Sequence, residues 1–251
     1  DKKQVELIIK KIKPKTVINA AAYTLVKEAE NNQKKAFDVN KNGVKNIALA
    51  CKSIDCNLIH ISTDYVFDGS SHQPYTPEMI TNPINIYGKS KLEGEHEVNR
   101  YSSKFIIIRT SWVFSEYGNN FVKTMIKQAN KMNKINVVND QVGTPTYAGD
   151  IAKVILKLNT KFDESKIQEI YHFGGSPRCT WYDLAETLFK ILVSEQKISV
   201  MPELNPILSS DLNETIQRPV NSALCSKKYF NEFNFVETDW RESLKKIVSK
   251  L

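Results

Sequence analysis

Glycine is scarce in the one arrangement that would mark a self-contained phosphate loop. The nine glycines contain no GxGxxG, so the sequence lacks the usual turn that cradles a pyrophosphate on a helix N-terminus. The pair Gly174-Gly175 comes far too late to serve. Long apolar runs are missing as well. None approaches the roughly 20 residues that a helix needs to span a bilayer, and no membrane association is expected. No basic-then-apolar leader opens the chain, which starts at Asp1-Lys2-Lys3-Gln4. The four cysteines (Cys51, Cys56, Cys179 and Cys225) show no CxxC spacing. They read as reduced thiols of a cytoplasmic protein, with only Cys51 and Cys56 close in sequence. The four histidines, His60, His72, His96 and His172, are scattered without HExxH or paired ligand spacing, so no metal site is expected. No GxSxG elbow is present, which leaves a hydrolase unsupported.

What is there is a chain of 251 residues, 41% hydrophobic, long enough to bury a core as one large domain or two small ones. The net charge of +7 favours an anionic ligand such as a nucleotide diphosphate. It describes a lysine-rich solvated surface equally, and Lys10-Lys11, Lys34-Lys35 and Lys245-Lys246 have that character. No basic stripe interleaved with aromatics suggests a nucleic-acid groove.

Helix and strand patterns alternate. Val5, Ile8, Ile9 and Ile12 recur at helical spacing over residues 2–12, and Lys13-Pro14 stops them. Thr16 to Ala22 reads as a short buried strand. Residues 28–52 read as helices with Phe37, Val44, Ile47, Ala48 and Leu49 inward. Asn57 to Val66 is a second strand. A loop from Pro74 to Pro83 precedes a helix from about Ile84 to Arg100, with Pro83 suited to its first turn. Phe105 to Thr110 is a third buried strand. A helix near Asn120–Lys131, strands at Ile135–Val138 and Tyr171–Phe173, a helix capped by Thr180 and a last helix from about Asp239 complete the chain. Strands separated by helices predict an α/β fold, a doubly wound parallel sheet covered on both faces. Residues 1–142 are expected to form the Rossmann-like domain. Residues 143–251 are expected to form mainly a smaller substrate lobe, with 171–175 returning to the sheet.

The chemistry centres on Tyr87 and Lys91 in Tyr-Gly-Lys-Ser-Lys-Leu-Glu-Gly-Glu. Four residues apart on a helix, they share a face. A phenol titrates near 10, and a neighbouring ammonium is expected to lower that value. Tyr87 could then pass a proton to a carbonyl oxygen while Thr63, at a strand tip, holds the same oxygen. The YxxxK spacing also describes an exposed tyrosine over a lysine stem, and Tyr23-Thr24-Leu25-Val26-Lys27 repeats it. Context separates the two: Tyr87 opens a helix that follows the strand ending in Thr63, and parallel sheets place their sites at the carboxyl ends of strands.

Further segments match in order. They are Asn19-Ala20-Ala21-Ala22-Tyr23-Thr24, Ser62-Thr63-Asp64-Tyr65-Val66-Phe67, Tyr87-Gly88-Lys89-Ser90-Lys91 and Arg109-Thr110-Ser111-Trp112-Val113-Phe114. Gly118-Asn119-Asn120-Phe121, Asp140 to Thr146 and Arg218-Pro219-Val220-Asn221-Ser222 continue the series. From about residue 5 to the C-terminus the chain resembles the dTDP-4-dehydrorhamnose reductase family of extended short-chain dehydrogenases/reductases. The resemblance implies reduction of the C4 ketone of a nucleotide sugar by NADPH or NADH, with Thr63, Tyr87 and Lys91 as catalytic residues. It implies cofactor contacts from Ala21, Ala22, Tyr23, Asn40, Tyr87 and Lys91. Thr24, Val26, Asp64, Tyr65, Trp112, Asn120 and Arg218 would lie around the substrate. Val26 and Tyr65 also suit a core, Asn120 also suits a helix cap, and Arg218 also suits a salt bridge. Some family members are linked to Mg2+ at a dimer contact, and a homodimer is compatible with the resemblance.

The family opens with a strand, a glycine-rich turn and a helix, and this sequence contains none of them. The expectation is therefore that a first βαβ unit is absent from these residues, that an apolar edge lies beside the Thr16–Ala22 strand, and that the 251 residues alone bind nicotinamide cofactor poorly. A dehydratase of the same group would carry a second acid after Asp64, where this chain has Tyr65; that leaves an epimerase as an alternative. A regulatory, non-catalytic subunit is a further alternative, although it would not need Thr63, Tyr87 and Lys91 together.

Overall fold

Alternating helices and strands build a parallel sheet of four strands, ordered Thr16–Asn19, Asn57–Thr63, Phe105–Thr110, Gln168–Phe173. The structure is a computed structural model describing residues 1–163, 167–212, 216–235 and 237–250. Phe105–Thr110 is buried along its whole length, because β-branched Ile106, Ile107 and Ile108 supply apolar groups to both faces. On one face, Leu58, Phe105 and Ile107 pack with Ile9, Val44, Ala48 and Val98 from the helices Lys2–Ile12, Val44–Ser53 and Ile86–Tyr101. On the other, Ile59, Ile106 and Ile108 meet Ile151, Val154, Leu158, Tyr229 and Phe230 from Ala148–Asn159 and Lys227–Phe233. The expected doubly wound layering is therefore present.

Three boundaries differ from expectation. The first strand stops at Asn19 rather than Ala22 and is not fully buried, with Ile18 47% exposed. Its end is local chemistry: the Asn19 side-chain oxygen accepts from the Ala21 amide at 3.2 Å and turns the chain away. The second strand stops at Thr63 rather than Val66, because Thr63 Oγ1 accepts from the Tyr65 amide at 3.2 Å and caps a single 3₁₀ turn, Asp64–Val66. Pro83 precedes the helix Ile86–Tyr101 instead of lying in its first turn. Asn85 is the cap, accepting from the Gly88 amide at 2.8 Å.

A second core lies beside the sheet. Phe114, Val122, Met125, Ile135, Leu184, Leu188, Trp240 and Leu244 pack together from Phe121–Ala129, Trp181–Ser194, Trp240–Val248 and the parallel pair Lys134–Val138 and Glu203–Ile207. Thr180 and Asp183 close a reciprocal capping box at the start of Trp181–Ser194. This core begins before the expected division after residue 142, at Phe114, while Ala148–Asn159 and Gln168–Phe173 belong to the sheet layers. No helix among the described residues is long and apolar enough to cross a membrane.

The helix Ile86–Tyr101 sits low on the π-helical turn Asp38–Gly43, and Gly94 permits it: a Cβ there would lie 2.2 Å from the Asn40 carbonyl oxygen. Backbone cannot yield as a flexible side chain would, so Gly94→Ala is expected to cost about 2 kcal/mol. Thermal unfolding should show a Tm roughly 5 °C lower.

Candidate active site

Two neighbouring strands of the sheet deliver polar tips to one mouth, with Thr63 directly opposite Thr110. Across this mouth runs the helix Ile86–Tyr101, whose cap places Tyr87 in the first turn and Lys91 one turn further. Gly88 allows the first turn to touch the strand end, since a Cβ there would fall 2.1 Å from the Tyr65 carbonyl oxygen. The Tyr87 hydroxyl thereby reaches the Thr63 side chain. Lys91 Nζ donates to the Ile61 carbonyl at 2.7 Å, and Thr63 Oγ1 donates to Asp64 Oδ1 at 3.0 Å. A cavity of about 530 Å³ opens over these groups.

Burial governs the charges. Lys91 is almost wholly enclosed, which pushes its ammonium down to about 8, while the nearby Glu95 carboxylate opposes the drop. Burial pushes Asp64 up to about 6, against hydrogen bonds from Ser222, Thr63 and Ser111. His60, on the strand that ends in Thr63, is held well below its ordinary value by burial and by the Lys91 charge. Tyr87 corrects an expectation. Its phenol is raised above the ordinary value, first by burial and then by the Asp64 and Tyr65 charges, with only the Thr63 hydrogen bond opposing. Desolvation outweighs any pull from the ammonium, whose Nζ donates to Ile61 instead. The resting tyrosine is a neutral phenol, the form that can donate a proton.

Ala22, Thr24, Val26, Thr63, Asp64, Tyr65, Tyr87, Lys91, Trp112 and Arg218 line the cavity. Arg218 Nη1 donates to the Tyr65 hydroxyl at 3.3 Å, and the Tyr65 ring meets Tyr87 edge-on at 5.7 Å. Four residues singled out from the sequence do not line the cavity. Ala21 is exposed beside it. Tyr23 is buried, its hydroxyl donating to Glu28 at 3.4 Å. Asn120 caps Phe121–Ala129 through the Lys123 amide and donates to the Ser115 carbonyl at 2.8 Å. Asn40 is fully buried as a clamp: it accepts from the Tyr23 amide at 2.8 Å and donates to the Tyr23 carbonyl at 3.1 Å and to Ser90 at 2.9 Å.

Sequence reasoning missed Trp181. It lines the cavity and stacks face to face on Trp112, centroids 3.4 Å apart and planes 4° apart. Trp112 reaches this position with φ at 45°, a left-handed conformation unusual for a bulky residue, over Gly143, where a Cβ would strike the indole at 2.2 Å. The only local signal was an aromatic directly after the Thr180 cap.

The loop from Ala20 to Thr24 forms the cavity's other wall. Its shape is fixed relative to the Lys91 helix by the Asn40 clamp, and Ala20 and Ala22 leave a small-residue face. An ammonium has three donors, of which Lys91 spends one on Ile61. These features fit a nicotinamide and its ribose, which Lys91 and the Ala20–Thr24 loop could hold. Among the described residues no group of three or more His, Cys, Asp or Glu side chains is placed to hold a metal ion.

Comparison with known proteins agrees with this geometry. The chain is 43% identical to a dTDP-4-dehydrorhamnose reductase of Aggregatibacter actinomycetemcomitans, over 98% of this chain and 85% of that one. A crystal structure of a dTDP-4-dehydrorhamnose reductase from Clostridium acetobutylicum superposes with a TM-score of 0.91 at 34% identity, covering 100% of this chain and 85% of the other. The Bacillus anthracis enzyme of that name, solved in complex with NADP, gives 0.90 at 33% identity, covering 100% of this chain and 86% of that one. With residues 1–251 all matched by the family described as the RmlD substrate binding domain, the chain belongs to that family.

Proposed function

We propose that the protein reduces the C4 ketone of dTDP-4-dehydrorhamnose, with NADPH or NADH as donor. The observation that carries this reading is the convergence of Thr63, Tyr87 and Lys91 on one cavity at the carboxyl ends of a parallel sheet. The names and identities of its relatives support the substrate. A bound nicotinamide would supply the hydride. Tyr87 gives its phenolic proton to the C4 oxygen, and Thr63 turns its hydroxyl from Asp64 onto the same oxygen. The Lys91 ammonium stabilises the phenolate left behind until solvent returns the proton. The Trp112–Trp181 stack offers an apolar face to the deoxysugar ring, and Arg218, beside Tyr65, lies where the diphosphate charge can pair with it. A cytoplasmic location, and a lobe around Trp181 that carries the sugar, belong to the same proposal.

Tyr87→Phe keeps the ring and removes the proton. Its kcat should fall about a thousandfold with KM for the sugar changed only a few-fold, followed by loss of reduced-nicotinamide absorbance. A matching fall in Tyr23→Phe, or turnover unaffected in Tyr87→Phe, would refute the assignment.

Lys91 gives a second test, because its position costs stability. Moving an ammonium from the ordinary 10.5 to about 8 corresponds to roughly 3 kcal/mol. The folded value lies below the unfolded one, so this cost is complete below pH 8 and is relieved as pH rises towards 10.5. Lys91→Met removes it at the loss of one hydrogen bond worth about 1 kcal/mol. The variant should lose activity and gain about 2 kcal/mol at neutral pH, raising Tm by roughly 5 °C. That advantage should shrink when melting is repeated at higher pH.

A further inference from the structure

Behind the cavity lies a buried ion pair with no part in the chemistry described so far. Glu95, one turn beyond Lys91 on the same helix, receives Arg109 Nη2 at 2.7 Å and Nε at 3.0 Å, and both side chains are 4% exposed. Ser62, which precedes Thr63, donates its hydroxyl to the same carboxylate. Arg109 Nη1 faces His172 Nε2 at 3.4 Å, and His172 Nδ1 donates to the Tyr75 carbonyl at 2.8 Å. The carboxylate thus joins the catalytic helix to the strand that ends in Thr63 and, through Arg109, to two further strands. Such a pair contributes little net stability compared with apolar packing, so its place directly under Lys91 calls for a role.

We propose that Glu95 is a positioning residue for catalysis: clamped by Arg109 and Ser62, it fixes the Lys91 helix against the Thr63 strand tip and sets a negative charge one turn from Lys91. The inference rests on the reductase reading. The groups facing Lys91 from every side agree with it. Tyr87 on its own helix is a neutral phenol, His60 on the strand beneath is held neutral, and Asp64 and Tyr65 act on Tyr87. His172, beyond Arg109, is pushed down to about 3 by burial and by the Arg109 charge, and carries none itself. Glu95 is the carboxylate that holds the Lys91 ammonium up against desolvation. Its removal leaves Arg109 uncompensated, and both changes favour the neutral amine. The sign is therefore fixed: loss of Glu95 moves the titration of Lys91 to lower pH.

The test is the pH dependence of kcat/KM for the full-length protein and for Glu95→Gln. In the parent, activity should fall as pH rises through about 8, where Lys91 loses its proton. In Glu95→Gln that alkaline limb should move acidward by about one pH unit, with kcat at pH 8 down about fivefold and KM for the sugar nearly unchanged. Glu95→Asp retains the charge at slightly greater distance and should show a smaller shift in the same direction; it serves as the reading if the amide variant does not fold. A limb that stays in place while the whole profile is scaled down would mean a merely structural role and would overturn the inference. A parent that shows no turnover would instead refute the reductase reading, so the two failures are distinct.

Discussion

One enclosed ammonium organises this site. Burying Lys91 at the mouth of a parallel sheet is costly, and several features of the chain offset or exploit that cost. The helix that carries it is capped by Asn85, brought against the turn after Thr63 by Gly88 and against the π-helical turn Asp38–Gly43 by Gly94, and tied to the strand below through Ile61. None of these contacts is chemical in the proposed reaction. Each restricts where Nζ can lie, and a charge held in a dry cleft acts far more strongly on a neighbouring oxygen than one in water.

The same enclosure raises the Tyr87 phenol instead of lowering it. A sequence reveals that a lysine lies one turn from a tyrosine, but not how much water each retains, and desolvation is the larger effect here. For proton donation the result is favourable. A neutral phenol enters the reaction as a donor, and the ammonium becomes important only once the phenolate forms.

Elements defined by local rules were legible in the sequence. Ile106, Ile107 and Ile108 mark a strand buried on both faces, the Thr180 cap marks a helix start, and Tyr87 and Lys91 share a helical face. Boundaries set by side-chain turns were not, since Asn19 and Thr63 each end a strand by bonding an amide two residues on. Contacts between distant segments were least visible. Trp112 and Trp181 are separated by nearly seventy positions yet stack at 3.4 Å, and the Asn40 clamp joins a loop and a helix that no periodicity connects. Asn120 carried the opposite risk: its motif suggested a ligand contact, while its side chain is occupied in capping a helix.

The hydroxyl relay at the strand tip adds a last constraint. Before a ketone enters, the Thr63 proton is directed at Asp64, whose carboxyl, raised by burial to about 6, is mostly ionised at neutral pH. A neutral carbonyl oxygen is a weaker acceptor than a carboxylate and competes poorly for that proton. An oxygen gathering negative charge as hydride arrives competes much better. Thr63 is thus drawn from Asp64 most strongly at the point of highest charge, so its hydrogen bond favours the transition state over the bound ketone. The acid beside the threonine, which at first looks like a rival for its proton, makes the site selective for the charged form of the reacting oxygen.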